Sequence, residues 1–206
     1  MNGFAVTKPR GRPRQFDEMK VKHAILQTFW DKGFAATSLD DLSQASGLVR
    51  PSLYAAFGSK ADMYLMSMDV YLEGLSSVRG ALSEASSAEE AVSTFFLTML
   101  DIYLGDDPDH QLGCFLVGTA LTESVHKPEI REALAIRLDK FNQMFVATLQ
   151  AKFPNAEPAG VQFAAQQAAA TLHSLAVRAR TGEHREALTQ FAQQSARLIT
   201  SHIQTK

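Results

Sequence analysis

The 206-residue chain has a single cysteine, Cys114, and so no intramolecular disulfide. No stretch reaches the roughly 18 uninterrupted apolar residues of a membrane span. The most apolar late segment, VQFAAQQAAATLHSLAV, is broken by Gln162, Gln166, Gln167 and His173. The amino terminus, MNGFAVTKPRGRPR, has no apolar run followed by a small-residue cleavage site, so a reducing cytoplasm is the expected location. Motifs of catalysis are missing as well. There is no H-E-x-x-H pair, no Walker loop and no G-x-S-x-G elbow, and the six histidines are too scattered to pair as ligands on one helix face. Neither an enzyme nor a metal or cofactor protein is expected.

Proline and glycine are sparse between residues 15 and 104, and apolar residues recur at helical rather than alternating spacing, so an all-α fold of about nine helices is expected. The first helix spans about Asp17 to Lys32 and ends at Gly33. Thr37, with Asp40 three residues on, caps a second helix that Gly47 ends. Pro51 opens a third, where its missing N–H costs nothing. Ser59 and Asp62 open a fourth that reaches about Leu82, and Ser87 and Glu90 a fifth. A short apolar helix follows in CFLVGTALTES. Ile130, Leu134, Leu138, Phe141, Phe145 and Leu149 mark a strongly amphipathic helix. Two more cover about Glu157 to Arg180 and Glu183 to Ile203.

The net charge of -2 conceals an asymmetry: residues 1 to 60 carry +4 and residues 61 to 206 carry -6. A basic head on an acidic body suits a head that meets a polyanion. Within the head, two short helices joined by a glycine turn form a helix-turn-helix, whose second helix can enter a DNA major groove. Arg50 is then the main base reader, Pro51 offers contact to a thymine methyl, and Ser52 an adaptable hydroxyl. Tyr54, Thr37, Ser38 and Lys60 are placed to reach phosphates. Leu39, Leu42, Ala45, Leu48, Leu53 and Phe57 are assigned to packing within the head.

The run TSLDDLSQASGLVRPSLYAAFGSKADMY, at the centre of residues 20 to 65, resembles the TetR/AcrR family of one-component transcriptional regulators, mostly repressors. The resemblance implies a three-helix DNA-binding head with a helical body for ligand binding and dimerisation. It implies Thr37, Ser38, Arg50, Ser52, Tyr54 and Lys60 as contacts to double-stranded DNA. The expected division is a basic arm at 1–15, the helix-turn-helix domain at 16–60, and an effector-binding and dimerisation domain at 61–206. In the arm, Arg10, Arg12 and Arg14 alternate with Pro9, Gly11 and Pro13, giving an extended basic segment suited to a minor groove.

The body is rich in aromatic and Met side chains, and a pocket for a small apolar or aromatic effector is expected there. Its expected lining is Phe96, Met99, Tyr103, Cys114, Phe115, Phe141 and Phe145, with Gln167 and His173 as polar handles. Cys114 has an alternative role. It follows Gly113 near a helix start, and GCFLVGTALTE resembles a pattern in family members that sense oxidants or electrophiles. The last two helices carry Ala164, Ala165, Ala168 and Ala169, then Leu188, Phe191, Ala192, Leu198 and Ile199. In the family such helices form a homodimer's four-helix interface, which implies a near-palindromic operator.

Overall fold

A computed structural model describes residues 16–75, 84–107, 110–201 and 203. Nine α-helices and no strand occur among them: α1 (Glu18–Ala36), α2 (Leu39–Ser46), α3 (Arg50–Phe57), α4 (Lys60–Gly74), α5 (Ala88–Leu104), α6 (Leu121–Ser124), α7 (Pro128–Lys152), α8 (Pro158–Arg180) and α9 (Arg185–Ser201). The short apolar helix is wider than expected, because Leu116–Ala120 forms a π-helical turn that runs into α6. The fourth helix is described only to Gly74; the expected extension toward Leu82 falls largely outside the described residues.

Local signals account for most helix starts in the first half. Asp17 caps α1 by accepting the N–H groups of Met19 and Lys20, Ser59 and Asp62 form a reciprocal capping box on α4, and Ser87 caps α5 through the N–H of Glu90. Gly33 breaks α1 with a positive φ of 75°, which glycine adopts without steric cost, and lets Phe34 turn back toward Phe29, ring centroids 6.2 Å apart.

α1 packs along α4 and against α2, which touches α3, so the three-helix head rests on α4. α5, α8 and α9 pack together, with α7 laid against α8. A seam of rings joins head to body. Phe29 and Phe34 of α1 meet Tyr64 of α4 at 5.1 and 5.2 Å, and Tyr64 meets Phe115 at 5.5 Å. Trp30 lies edge-on to Tyr71 at 5.0 Å, and its indole N–H donates to the Gly113 carbonyl. Offset and edge-on ring contacts of this kind add roughly 0.5–1.5 kcal/mol each beyond the area buried.

Candidate functional site

The start of α3 is an open edge of the head, with Val49 65% exposed. α2 ends on Gly47 in left-handed backbone, and the chain turns through Leu48 and Val49 into Arg50. Val49 supplies no side-chain cap, so among the described residues the first amides of α3 have no side-chain partner, and Arg50, Pro51 and Tyr54 are exposed around them. Ser52 is half-buried.

Arg50 pairs with Asp40 on α2, Nε donating to Oδ1 at 2.8 Å and Nη2 to Oδ2 at 2.5 Å. This occupies the side edge of the guanidinium. The end edge, Nη1 with the second N–H of Nη2, remains for another two-pronged contact. The pairing also sets the start of α2 beside the start of α3.

Thr37 differs from expectation in both roles given to it. It is buried, with only 1% of its surface exposed, and its hydroxyl donates to the Gly33 carbonyl at 2.6 Å, so it neither caps α2 nor faces a phosphate. The cap is Ser38, which accepts from the Asp41 N–H at 3.1 Å while the Asp41 carboxylate accepts the Ser38 N–H at 2.7 Å. The run TSLDD contains two overlapping cap patterns, and packing selects the second by drawing Thr37 inside. Lys32 and then Ser38, both hydrogen-bonded to Asp41, hold its carboxyl well below the usual carboxylate range.

Lys60 is half-buried, its ammonium 4.5 Å from the centre of the Phe34 ring, and desolvation lowers its pKa. Lys127, just before α7, lies 5.0 Å from the same ring centre. Leu42 and Leu53 are fully buried and Leu39, Leu48 and Phe57 partly so, whereas Ala45 is exposed rather than packed. Arg10, Arg12 and Arg14 lie outside the described residues.

In the body the expected pocket residues separate into several groups. Phe141 lines a cleft of about 380 Å³ between α4, α5 and α7, together with Leu72, Leu75, Phe95, Arg137, Lys140, Gln143 and Met144. Phe145 stacks edge-on against Phe95 at 4.9 Å and is fully buried, as are Phe96 and Met99. Tyr103, Cys114 and Phe115 belong to the seam instead. The Tyr71 hydroxyl donates to the Cys114 sulfur at 3.6 Å, and burial pushes the pKa of both Tyr71 and Tyr103 well up. Gln167 is exposed on α8, beside a hollow of about 240 Å³ that it lines with Phe163, Leu198 and Ile199. His173 is half-buried on α8, and desolvation lowers its pKa.

Sequence reasoning did not select Leu72, Leu75, Arg137, Lys140 or Met144 for the pocket. One signal was available: Arg137 and Lys140 are three apart on the helix that carries Phe141 and Met144, so all four share one side of α7. The outer surface of α8 and α9 leaves large apolar groups exposed, Phe163 and Leu198 each at 60%.

Residues 23–65 match the family of bacterial regulatory proteins of the tetR type. Over nearly its full length the chain is similar to the HTH-type transcriptional repressor ComR of Escherichia coli (strain K12). Identity is 29% over 198 residues, covering 94% of this chain and 93% of ComR. The HTH-type transcriptional repressor BdcR of Escherichia coli (strain K12) is 40% identical over 62 residues, 30% of this chain and 32% of BdcR. A solved structure of the TetR family transcriptional regulator CifR, a triple cysteine variant complexed with 26-bp double-strand operator DNA, superposes with a TM-score of 0.80. Identity is 27%, with 91% of this chain and 98% of CifR covered.

Proposed function

We propose that the chain, whose residues 23–65 match the tetR family of bacterial regulatory proteins, acts as a dimeric repressor released from a near-palindromic operator by a small apolar or aromatic effector. The observation that carries the DNA reading is the free end edge of Arg50, held at the exposed start of α3 by Asp40. A guanine presents O6 and N7 side by side in the major groove, and that edge matches them. Pro51 and Ser52 flank it for neighbouring bases. Ser38, Tyr54 and Lys60 engage phosphates, and Arg10, Arg12 and Arg14 enter the adjacent minor groove. The CifR complex supports the operator reading, because 27% identity over 91% of the chain accompanies its contact with double-strand DNA.

Dimerisation runs through the exposed apolar face of α8 and α9, where burying Phe163 and Leu198 removes large apolar surface from water. The two copies of α3 then read half-sites about 34 Å apart if one helical turn separates them. The effector occupies the α4–α5–α7 cleft. α4 connects the two functions, since it begins at Lys60 under the head and carries Leu72, with Leu75 just past its end, in the cleft wall. A ligand that wedges α4 from α7 changes the spacing of the recognition helices. Effector weakens operator affinity only by its own preference for the altered state, typically about 1–3 kcal/mol.

Fluorescence anisotropy against the DNA upstream of the protein's own gene, at two salt concentrations, tests the DNA reading. Tight binding that Arg50→Ala abolishes, with weak binding to random DNA left intact, is the expected result. Equal binding of the variant to both DNAs removes Arg50 as a base reader.

A second reading rests on one contact. Oxidation or alkylation of Cys114 displaces the Tyr71 hydroxyl from its sulfur, and Tyr71 in turn supports Trp30 of α1. Intact-mass measurement after mild peroxide decides it, and an unmodified Cys114 removes it.

A further inference from the structure

The α4–α5–α7 cleft is apolar along Leu72, Leu75, Phe95, Phe141 and Met144 but has two cations on one side, and no acidic residue lines it among the described residues. Arg137 is the more buried cation, its side chain 12% exposed. Nη1 donates to the Ala133 carbonyl of its own helix and Nη2 to Asp69, whereas Nε is buried with no acceptor among the described residues. Lys140, three residues on, is exposed and makes no ion pair among the described residues. A neutral apolar ligand filling this cleft covers the rim at Lys140 and adds no acceptor beside Arg137, whose guanidinium has one carboxylate, Asp69, and one buried N–H without an acceptor among the described residues. An anion at the same place answers both, in surroundings where charge-assisted hydrogen bonds are strong.

We propose that the cleft binds an amphiphile with one carboxylate, its apolar body along Phe95, Phe141 and Met144 and its acid at Arg137 and Lys140. The proposal rests on the reading of the cleft as the effector site and names the chemical class of that effector. Straight-chain and arylalkanoic acids share this chemistry, and decanoate and 4-phenylbutyrate separate the two sources. Asp69 limits the site, since its carboxylate competes for Nη2 of Arg137.

Titration calorimetry of the full-length protein with decanoate, 4-phenylbutyrate and methyl decanoate is the test. At least one acid binds saturably, and the ester binds at least about tenfold more weakly, as loss of a charge-assisted contact requires. Arg137→Met weakens the acid by more than about tenfold and Lys140→Met by about threefold, while Asp69→Asn strengthens it. Should Arg137→Met fail to fold, as judged by circular dichroism, Lys140→Met and Asp69→Asn carry the test alone. The proposal is overturned if neither acid binds, if the ester binds as tightly as the acid, or if acid affinity ignores both Lys140 and Asp69. Operator release, followed by anisotropy, separates the two readings. An acid that binds with these dependences but leaves DNA in place upholds the site and overturns its role as effector. A neutral ligand that releases DNA where no acid binds keeps the role and overturns the class.

Discussion

The charged pair at the exposed edge of the head, Arg50 with Asp40, joins residues ten apart in sequence, whereas the cleft of the body is walled by Leu72, Phe95 and Phe141 from three separate helices. The groups proposed to act in the head, Arg50, Pro51 and Tyr54, stand on its surface; those packed behind the cleft, Phe96, Met99 and Phe145, are fully buried. The head's working surface is thus set by contacts close in sequence, and the body's by rings brought together from distant helices. Substitutions of the exposed head groups Arg50, Pro51 and Tyr54 should change affinity with little change in stability. In the body the two should fall together.

The largest expected effect tests the body. Phe145→Ala removes a ring packed on both Phe95 and Phe96, and should lower unfolding free energy by about 3–5 kcal/mol in urea melts. A loss below about 1 kcal/mol would show that the rings behind the cleft are loosely packed. Next comes the head. Arg50→Ala should weaken operator binding by about 1–3 kcal/mol while moving stability by no more than about 0.5 kcal/mol, the usual range for an exposed site. A large stability change there would erase the contrast between the two regions.

Asp40→Ala sharpens the same point. Freed of its partner, Arg50 loses its fixed orientation, and a negative charge leaves the DNA face. Operator affinity should fall less than for Arg50→Ala and random-DNA affinity should rise, so the ratio of the two shrinks in paired anisotropy titrations. An unchanged ratio means Asp40 does not position Arg50.

Ser38→Ala removes the α2 cap and should cost about 1 kcal/mol in the same urea melts. The smallest effect is a pH dependence at Asp41. Its carboxyl titrates lower in the folded state, so the stabilisation is complete above the ordinary carboxylate value of about 4 and is lost as pH falls through the lower folded value. The difference in thermal midpoint between the native protein and Asp41→Asn should therefore be full at pH 7 and narrow below about pH 4. A constant gap down to pH 3 would remove Lys32 and Ser38 as the cause.

The same contrast explains what the sequence made readable. Caps and turn glycines act within a few residues, so α1 to α3 follow from Asp17, Gly47 and Pro51 directly, and the slips were local: Thr37 for Ser38 as cap, Ala45 read as packed, and α1 running past Gly33 to Ala36. The stripe from Ile130 to Leu149 likewise revealed α7. Which side of that stripe meets a cavity depends on Leu72 and Phe95, supplied by other helices, and no local pattern encodes that meeting. Gln167 and Tyr103 were assigned to the pocket for the same reason: each has a suitable side chain, but α8 turns the first outward and the seam takes the second.

The ring of Phe34 is shared by two ammonium groups, Lys60 from the start of α4 and Lys127 from the start of α7. Two like charges beside one quadrupole repel each other even as each is attracted to it. In the proposed operator complex Lys60 leaves this position for a phosphate, and Lys127 keeps the ring covered without a competitor. Dissolved salt then acts on the protein at two places at once: it screens the phosphate contact, favouring release, and screens the repulsion at Phe34, favouring return of Lys60. Both push the same way, so in the proposed complex operator affinity should fall with salt more steeply than the phosphate contact alone requires.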